Sequence, residues 1–348
     1  KDMSNLVKLA DNLIKQQQGQ VALDMLLPHR VYNRLNVKYL SRLAASYVSV
    51  KLCNDAEKVL DILHGLSFDN VNQLAIVAQM FMQCSRYERA HRTLANAEKL
   101  NAKNLKVQLT RAQWLIEIKQ SKLALKTLRI LAKNNNIKAL QLQIRAYQNL
   151  NYNKQASKSA RKLYAQYPAP VNVFRLFGLL KDNSRVDEGV VLLESYIKKN
   201  ENKVIRRILA HEYLKKGELI QSELHFIALA DKYQDATANR QLALIRSEQN
   251  NLPQALYFAQ KAYELKANSA AIMATYGWLL VQSGEIEQGL SHLRSAHARD
   301  SRQPTLQFRL AETLIMLNQV GQAKVLLEQA VTYDFPDKEK ALARLEEL

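Results

Sequence analysis

Apolar residues recur at helical spacing along the whole chain, and the small ones among them recur at a second, longer period. Residues 276–300, "YGWLLVQSGEIEQGLSHLRSAHARD", interleave Gly277, Gly284, Gly289 and Ala296 with leucines. Moving 34 residues on gives "LAETLIMLNQVGQAKVLLEQAVTYD", which aligns without a gap: Gly277 falls on Ala311, Gly289 on Ala323, Leu293 on Leu327 and Ala296 on Ala330. A fixed period of this length marks stacked repeats. The glycines therefore read as packing positions between helices, and Gly289→Leu is expected to overpack the C-terminal repeats.

Carried toward the N-terminus, the register places a small or apolar residue on the first helix of each unit: Ala10, Ala44, Ala78, Ala112, Ile144, Gly178, Ala210, Ala243, Gly277 and Ala311. The second helix carries Ala22, Ala56, Ala90, Ala124, Ala156, Gly189, Ser222, Ala255, Gly289 and Ala323. Ten units result, spaced by 32 to 34 residues. The pattern resembles the tetratricopeptide repeat, with Tyr47, Phe81, Tyr147 and Tyr213 filling between small residues. Pro168 stands at the usual repeat-ending proline, which most units replace.

The resemblance implies an all-α, right-handed solenoid of about ten helix pairs over residues 1–335, with a capping helix over 336–348. The units span 3–36, 37–70, 71–104, 105–136, 137–170, 171–202, 203–235, 236–269, 270–303 and 304–335. First helices should line an inner groove and second helices an outer face, and any function should lie on one of these surfaces.

Composition agrees. With 9 Gly, 6 Pro and 47% apolar residues, the chain can bury a long core but lacks the turn residues of an all-β protein. It has no apolar run of about 18 or more residues, the length a membrane span requires. It opens on "KDMSNLVKLADN", already inside the first helix of a repeat, so a leader or lipid anchor could have preceded this numbering.

Candidate chemistry is sparse. No Gly-rich phosphate loop occurs, and His211–Glu212 lacks the second histidine of a zinc-protease motif. His292 and His297 are five residues apart and share a helix face too poorly to chelate. Cys53 and Cys84, 31 residues apart near the turns of adjacent repeats, form neither a zinc motif nor a redox CxxC. They read as free thiols, with a disulfide between the turns as the alternative. No enzyme activity, cofactor or metal is expected.

Charge changes the picture more. The formal net charge is +18, and residues 101–200 hold 19 Lys and Arg against 5 Asp and Glu. Lys122, Lys126 and Arg129 share a face of one second helix, and Lys154, Lys158 and Arg161 repeat that spacing in the next unit. Glu117 is the only acid between residues 101 and 181. An outer basic patch is expected, either simply solvated or suited to an acidic protein, an anionic polysaccharide or a membrane surface. Nucleic acid fits it poorly, because no aromatics interleave the stripe.

On the inner face, Arg175, Arg207 and Arg240 occupy the same place of three successive first helices, with His211 one turn beyond Arg207. Such a ladder could take carboxylates, as of a partner's acidic segment, or phosphates, or could pair with acids such as Glu248 or Asp182. Trp278, Phe308 and Ile315 would add an apolar end to the groove unless the terminal helix covers them.

The C-terminal third carries a narrower resemblance. Gly277–Trp278, Gly289–Leu290, Leu293 to Ala296 and Arg309 to Ala311 follow the order found in large repeat proteins of bacterial exopolysaccharide and PEP-CTERM sorting systems. That resemblance implies a non-catalytic scaffold of the periplasm or envelope, a cytoplasmic location being the alternative. Direct binding of an anionic polysaccharide or membrane surface stands as a second function.

Overall fold

The computed structural model describes residues 3–348, and Lys1 and Asp2 of the expected 1–335 repeat region lie outside it. The described residues form α-helices joined by short turns. The first five pairs are α1 (Met3–Lys15) with α2 (Gly19–Leu26), α3 (Val37–Ser49) with α4 (Cys53–Leu66), α5 (Val71–Gln83) with α6 (Tyr87–Asn101), α7 (Leu105–Glu117) with α8 (Ser121–Lys133), and α9 (Ile137–Asn149) with α10 (Asn153–Gln166). Next come α11 (Pro170–Asp182) and α12 (Val186–Ile197), then α13 (Lys203–Lys215) with α14 (Leu219–Tyr233), and α15 (Ala236–Glu248) with α16 (Leu252–Leu265). The last are α17 (Ala270–Gln282) with α18 (Ile286–Arg299), α19 (Pro304–Met316) with α20 (Val320–Ala330), and the closing α21 (Lys338–Glu347). Two compact units result, Lys1–Gly189 and Val190–Leu348, the boundary falling inside α12. Each is a stack of antiparallel helix pairs, the all-α architecture that the periodicity predicts.

The small-residue register explains how the helices approach. Ala10, Ala22, Ala44, Ala56, Ala78 and Ala90 are wholly buried in the first unit, as are Ala210, Ala243, Ala255, Ala311 and Ala323 in the second. At the α17–α18 crossing the contact is backbone on backbone: a Cβ added at Gly277 would stand 2.8 Å from the Gly289 carbonyl oxygen, and one at Gly289 2.5 Å from that of Gly277. In α13 and α14 the same pair of places is Ala210 and Ser222, whose hydroxyl donates to the Ala210 carbonyl at 2.8 Å. Gly178 is one place off the register: the left-handed residue of each other turn comes seven places after the register residue and here it is Ser184, so Phe177 holds the place, its ring 2.8 Å from where a Gly189 Cβ would be, while open space surrounds the Cβ position of Gly178. Tyr47, Phe81 and Tyr147 are core residues as expected. Tyr213 is only half-buried, because its hydroxyl turns to the Glu194 carboxylate at 3.0 Å.

Two devices define the helix ends. Every turn within the ten consecutive pairs holds a residue of left-handed conformation, from Gln17 (φ 62°) in the first to Asn318 (φ 59°) in the last. Between pairs, N-caps stand eight places before the register residue: the side chains of Asn36, Asn70, Asn104, Asn136, Asn202 and Asp235 accept from backbone N–H groups of the helix that follows.

The free-thiol reading of the cysteines is overturned. Cys53 at the start of α4 and Cys84 at the end of α5 are joined by a disulfide, their Cα atoms 5.4 Å apart. Stacking of adjacent pairs sets the two turns side by side, a proximity that a separation of 31 residues in sequence does not show.

Candidate partner-binding faces

In the first unit the second helices carry the basic patch. Lys122, Lys126 and Arg129 on α8 and Lys154, Lys158 and Arg161 on α10 are all exposed. The helices are neighbours, since Lys162 Nζ on α10 donates to the Ala132 carbonyl of α8 at 2.7 Å. Of the six, Arg161 has an acid partner, Glu188, at 3.1 Å. Glu117 is taken by Arg145 through two bonds of 2.7 and 3.0 Å, so it does not neutralise the stripe. Exposed Leu123 and Ile130 lie on the same α8, mixing apolar with basic side chains.

The three arginines of the predicted ladder differ from one another. Arg175, in the first unit, is half-buried and donates to Asn172 at 3.2 Å. Arg207, in the second, is bound to the buried carboxylate of Asp235, which also takes Lys203 at 3.2 Å and caps α15. That carboxyl is held below the usual range, the bonds from Arg207, the Ala238 N–H and Lys203 outweighing its burial. Arg207 is thus largely neutralised. Arg240 is half-buried and uses its Nε to reach α17, 3.0 Å from both the Ala271 carbonyl and Thr275 Oγ1.

His211 packs edge-on to Phe226 at 5.2 Å. Burial first, then Lys215 and Arg207, push its pKa down and favour the neutral ring. Phe308 is buried, and its ring lies 6.1 Å from Phe335, in the segment leading to α21. Trp278 remains half-buried, with Arg309 Cζ 5.8 Å from its ring centroid. The Arg309 guanidinium forms neither hydrogen bond nor ion pair among the described residues, and burial and then Arg240 push its pKa down.

Arg309 is the residue that the ladder register misses. Arg207 and Arg240 stand three places before Ala210 and Ala243, whereas Arg309 stands two before Ala311, as Arg175 does before Phe177, so the expected ladder of Arg175, Arg207 and Arg240 does not share one place. One residue is about 100° of helix turn, 3.6 residues completing a circle, so a strict register excludes Arg309.

A second polar cluster fills the start of the second unit. Glu194 accepts from Tyr213 and meets His225 Nε2 at 2.8 Å, while His225 stacks on Tyr213 with centroids 5.6 Å apart. Burial and Glu194 push the Tyr213 pKa up to about 12. Arg206 donates to both oxygens of Glu201, at 2.8 and 2.5 Å, and the Tyr233 hydroxyl adds a third bond at 3.0 Å. Arg206 above all lowers the Glu201 pKa to about 2. Every acid here has its base, so the cluster reads as a clamp between helices. No group of three or more His, Cys, Asp or Glu side chains suited to a metal occurs among the described residues.

Residues 280–345 match the family model of the tetratricopeptide repeat. The matched segment holds α18 to α20, the end of α17 and most of α21. No curated protein matches the sequence. Among solved structures, the chain is similar to the APC/C hetero-tetramer Cut9-Hcn1, at 11% identity over 99% of this chain and 90% of that one, with a TM-score of 0.45. It is also similar to YrrB, a tetratricopeptide protein with an unusual peptide-binding site, at 16% identity over 55% of this chain and 100% of that one (TM-score 0.44). A third is a thermophilic tetratricopeptide protein of Thermus thermophilus, TTC0263, at 21% identity over 51% of this chain and 98% of that one (TM-score 0.39).

Proposed function

We propose that the chain is a non-catalytic scaffold that holds an acidic segment of a partner protein against the first-helix face of its second unit. The observation that carries this reading is the uncompensated arginine charge on that face: among the described residues Arg240 and Arg309 have no carboxylate within bonding distance, whereas Arg207 beside them does. A half-buried guanidinium without a partner has lost hydration for no pairing gain, and a ligand carboxylate supplies that gain. The Cys53–Cys84 disulfide supports an oxidising compartment. It agrees with the periplasmic or envelope location, and with the role in exopolysaccharide assembly or protein sorting, that the C-terminal resemblance implies. A photo-crosslinking residue at Thr237, on α15, is expected to capture an acidic protein from envelope extract, and one at Gln260, on α16, is not. Capture from Gln260 alone would refute the assignment of the face.

A second reading concerns the first unit. Exposed Leu123 and Ile130 among Lys122, Lys126 and Arg129 suit an anionic membrane surface or an acidic polymer. Co-sedimentation with phosphatidylglycerol vesicles but not phosphatidylcholine vesicles, abolished by Lys122→Gln with Lys126→Gln, is the expected result. Equal recovery with both lipids would remove this reading.

A further inference from the structure

The second unit brings two arginines to one face of α17 from opposite sides. Arg240 arrives from α15 and is fixed there by its Nε, bonded to Ala271 and Thr275, and both terminal nitrogens are without an acceptor among the described residues. Arg309 arrives from α19 and lies against the indole of Trp278. Thr275 and Trp278 are three residues apart on α17, so they share a face of that helix. The arginines are close enough to repel, since Arg240 disfavours the charge of Arg309. The field of Asp337 favours the charge of Arg309, but its carboxylate accepts from Lys340 Nζ at 2.8 Å. Glu312, on the same helix as Arg309, is occupied by Arg344 at 3.0 Å. Two half-buried like charges are thus held together with donors to spare.

We propose that Arg240, Arg309 and Trp278 form a receptor for one side-chain carboxylate in the acidic segment of a partner protein, the guanidiniums donating to its oxygens and the indole walling the site. This deepens the scaffold reading and rests on it. A carboxylate matches the arrangement in charge and in planarity, because a guanidinium presents its donors in a fixed fork. It would also relieve the repulsion between the two arginines. The indole excludes water from one side and strengthens each bond made there.

The probe is a ten-residue glutamate peptide titrated into the 15N-labelled full chain. The protein has two indole N–H signals, and that of Trp114, bonded to the Tyr87 carbonyl at 2.9 Å in the first unit, is an internal reference. The peptide is expected to shift the Trp278 signal and leave that of Trp114 in place. Arg309→Gln should weaken binding about tenfold or more, as loss of bonds to a charged group does. Arg309→Lys, which keeps the charge without the fork, should fall between and guards against a variant that fails to fold. Unchanged affinity in Arg309→Gln, a shift at Trp114 alone, or no binding by the wild type would overturn the receptor. Tighter binding of a phosphoserine decapeptide would overturn its assignment to carboxylate. If the receptor fails while Thr237 still crosslinks an acidic protein, the scaffold reading stands without it; if both fail, both fall.

Discussion

A methyl group at Gly289 would stand 2.5 Å from Val281 Cγ2 as well as from the Gly277 carbonyl oxygen, and 2.9 Å from Val281 N. Two of those neighbours are backbone atoms and cannot rotate away, so α17 and α18 must separate. Gly289→Ala is therefore expected to cost about 1–3 kcal/mol by overpacking. Gly178→Ala, one place past the register on another first helix, meets nothing within 4 Å and should stabilise by about 0.5–1 kcal/mol through helix propensity and a less flexible unfolded chain. Urea unfolding of both variants checks the pair, and equal effects would contradict the packing described. At this scale the sequence showed which positions were small. It did not show which were tight, because closeness depends on how two helices cross.

The turns within helix pairs show what the sequence conceals at the scale of the element. Gly217 and Gly284 take the left-handed conformation at little cost, yet Lys51, Ser85 and Lys119 adopt it as well. A sequence with so few glycines gives no sign that all ten turns share one geometry. Lys119→Gly should stabilise by about 0.5–1 kcal/mol, the relief of left-handed strain exceeding glycine's entropic cost. Thermal unfolding that falls instead would contradict it. The N-caps were more legible in principle, since Asn36, Asn70 and Asn104 recur at the repeat period just before a first helix. Charge between elements also gives a pH response, in the connection from α12 to α13. Glu201 is held at about 2 against an ordinary 4.5, principally by Arg206. Its stabilising contribution is therefore complete above about pH 4.5 and is lost as pH falls toward 2. Glu201→Gln should melt below the wild type at about pH 6 and converge with it near pH 2. A gap that persists at the acid end would assign the effect to packing.

For the whole molecule, periodicity was enough to establish the all-α stack of pairs, because each helix presents its small residues at one repeating place. Charge bias located the patch from Lys122 to Arg161 as an exposed surface. The pairing of the arginines was not legible: Asp235 neutralises Arg207 through a contact between first helices, and Arg309 lies outside the register that defines the ladder. The disulfide was hidden for the same reason, lying between adjacent pairs. Reduction, or Cys53→Ser with Cys84→Ser, should destabilise the first unit by about 2–4 kcal/mol, read as a lower denaturation midpoint with unchanged helicity before the transition. A midpoint indifferent to reductant would mean that the bond contributes nothing to stability. The central claim is that a partner is held by the first-helix face of the second unit and not by the basic patch of the first. The most direct test is recovery of partners from envelope extract by the wild type, by Arg240→Gln with Arg309→Gln, and by a variant with all six patch cations changed to Gln, each checked for helicity. The account predicts an acidic protein lost only from the arginine variant. Its loss from the patch variant, with retention by the arginine variant, would contradict the account.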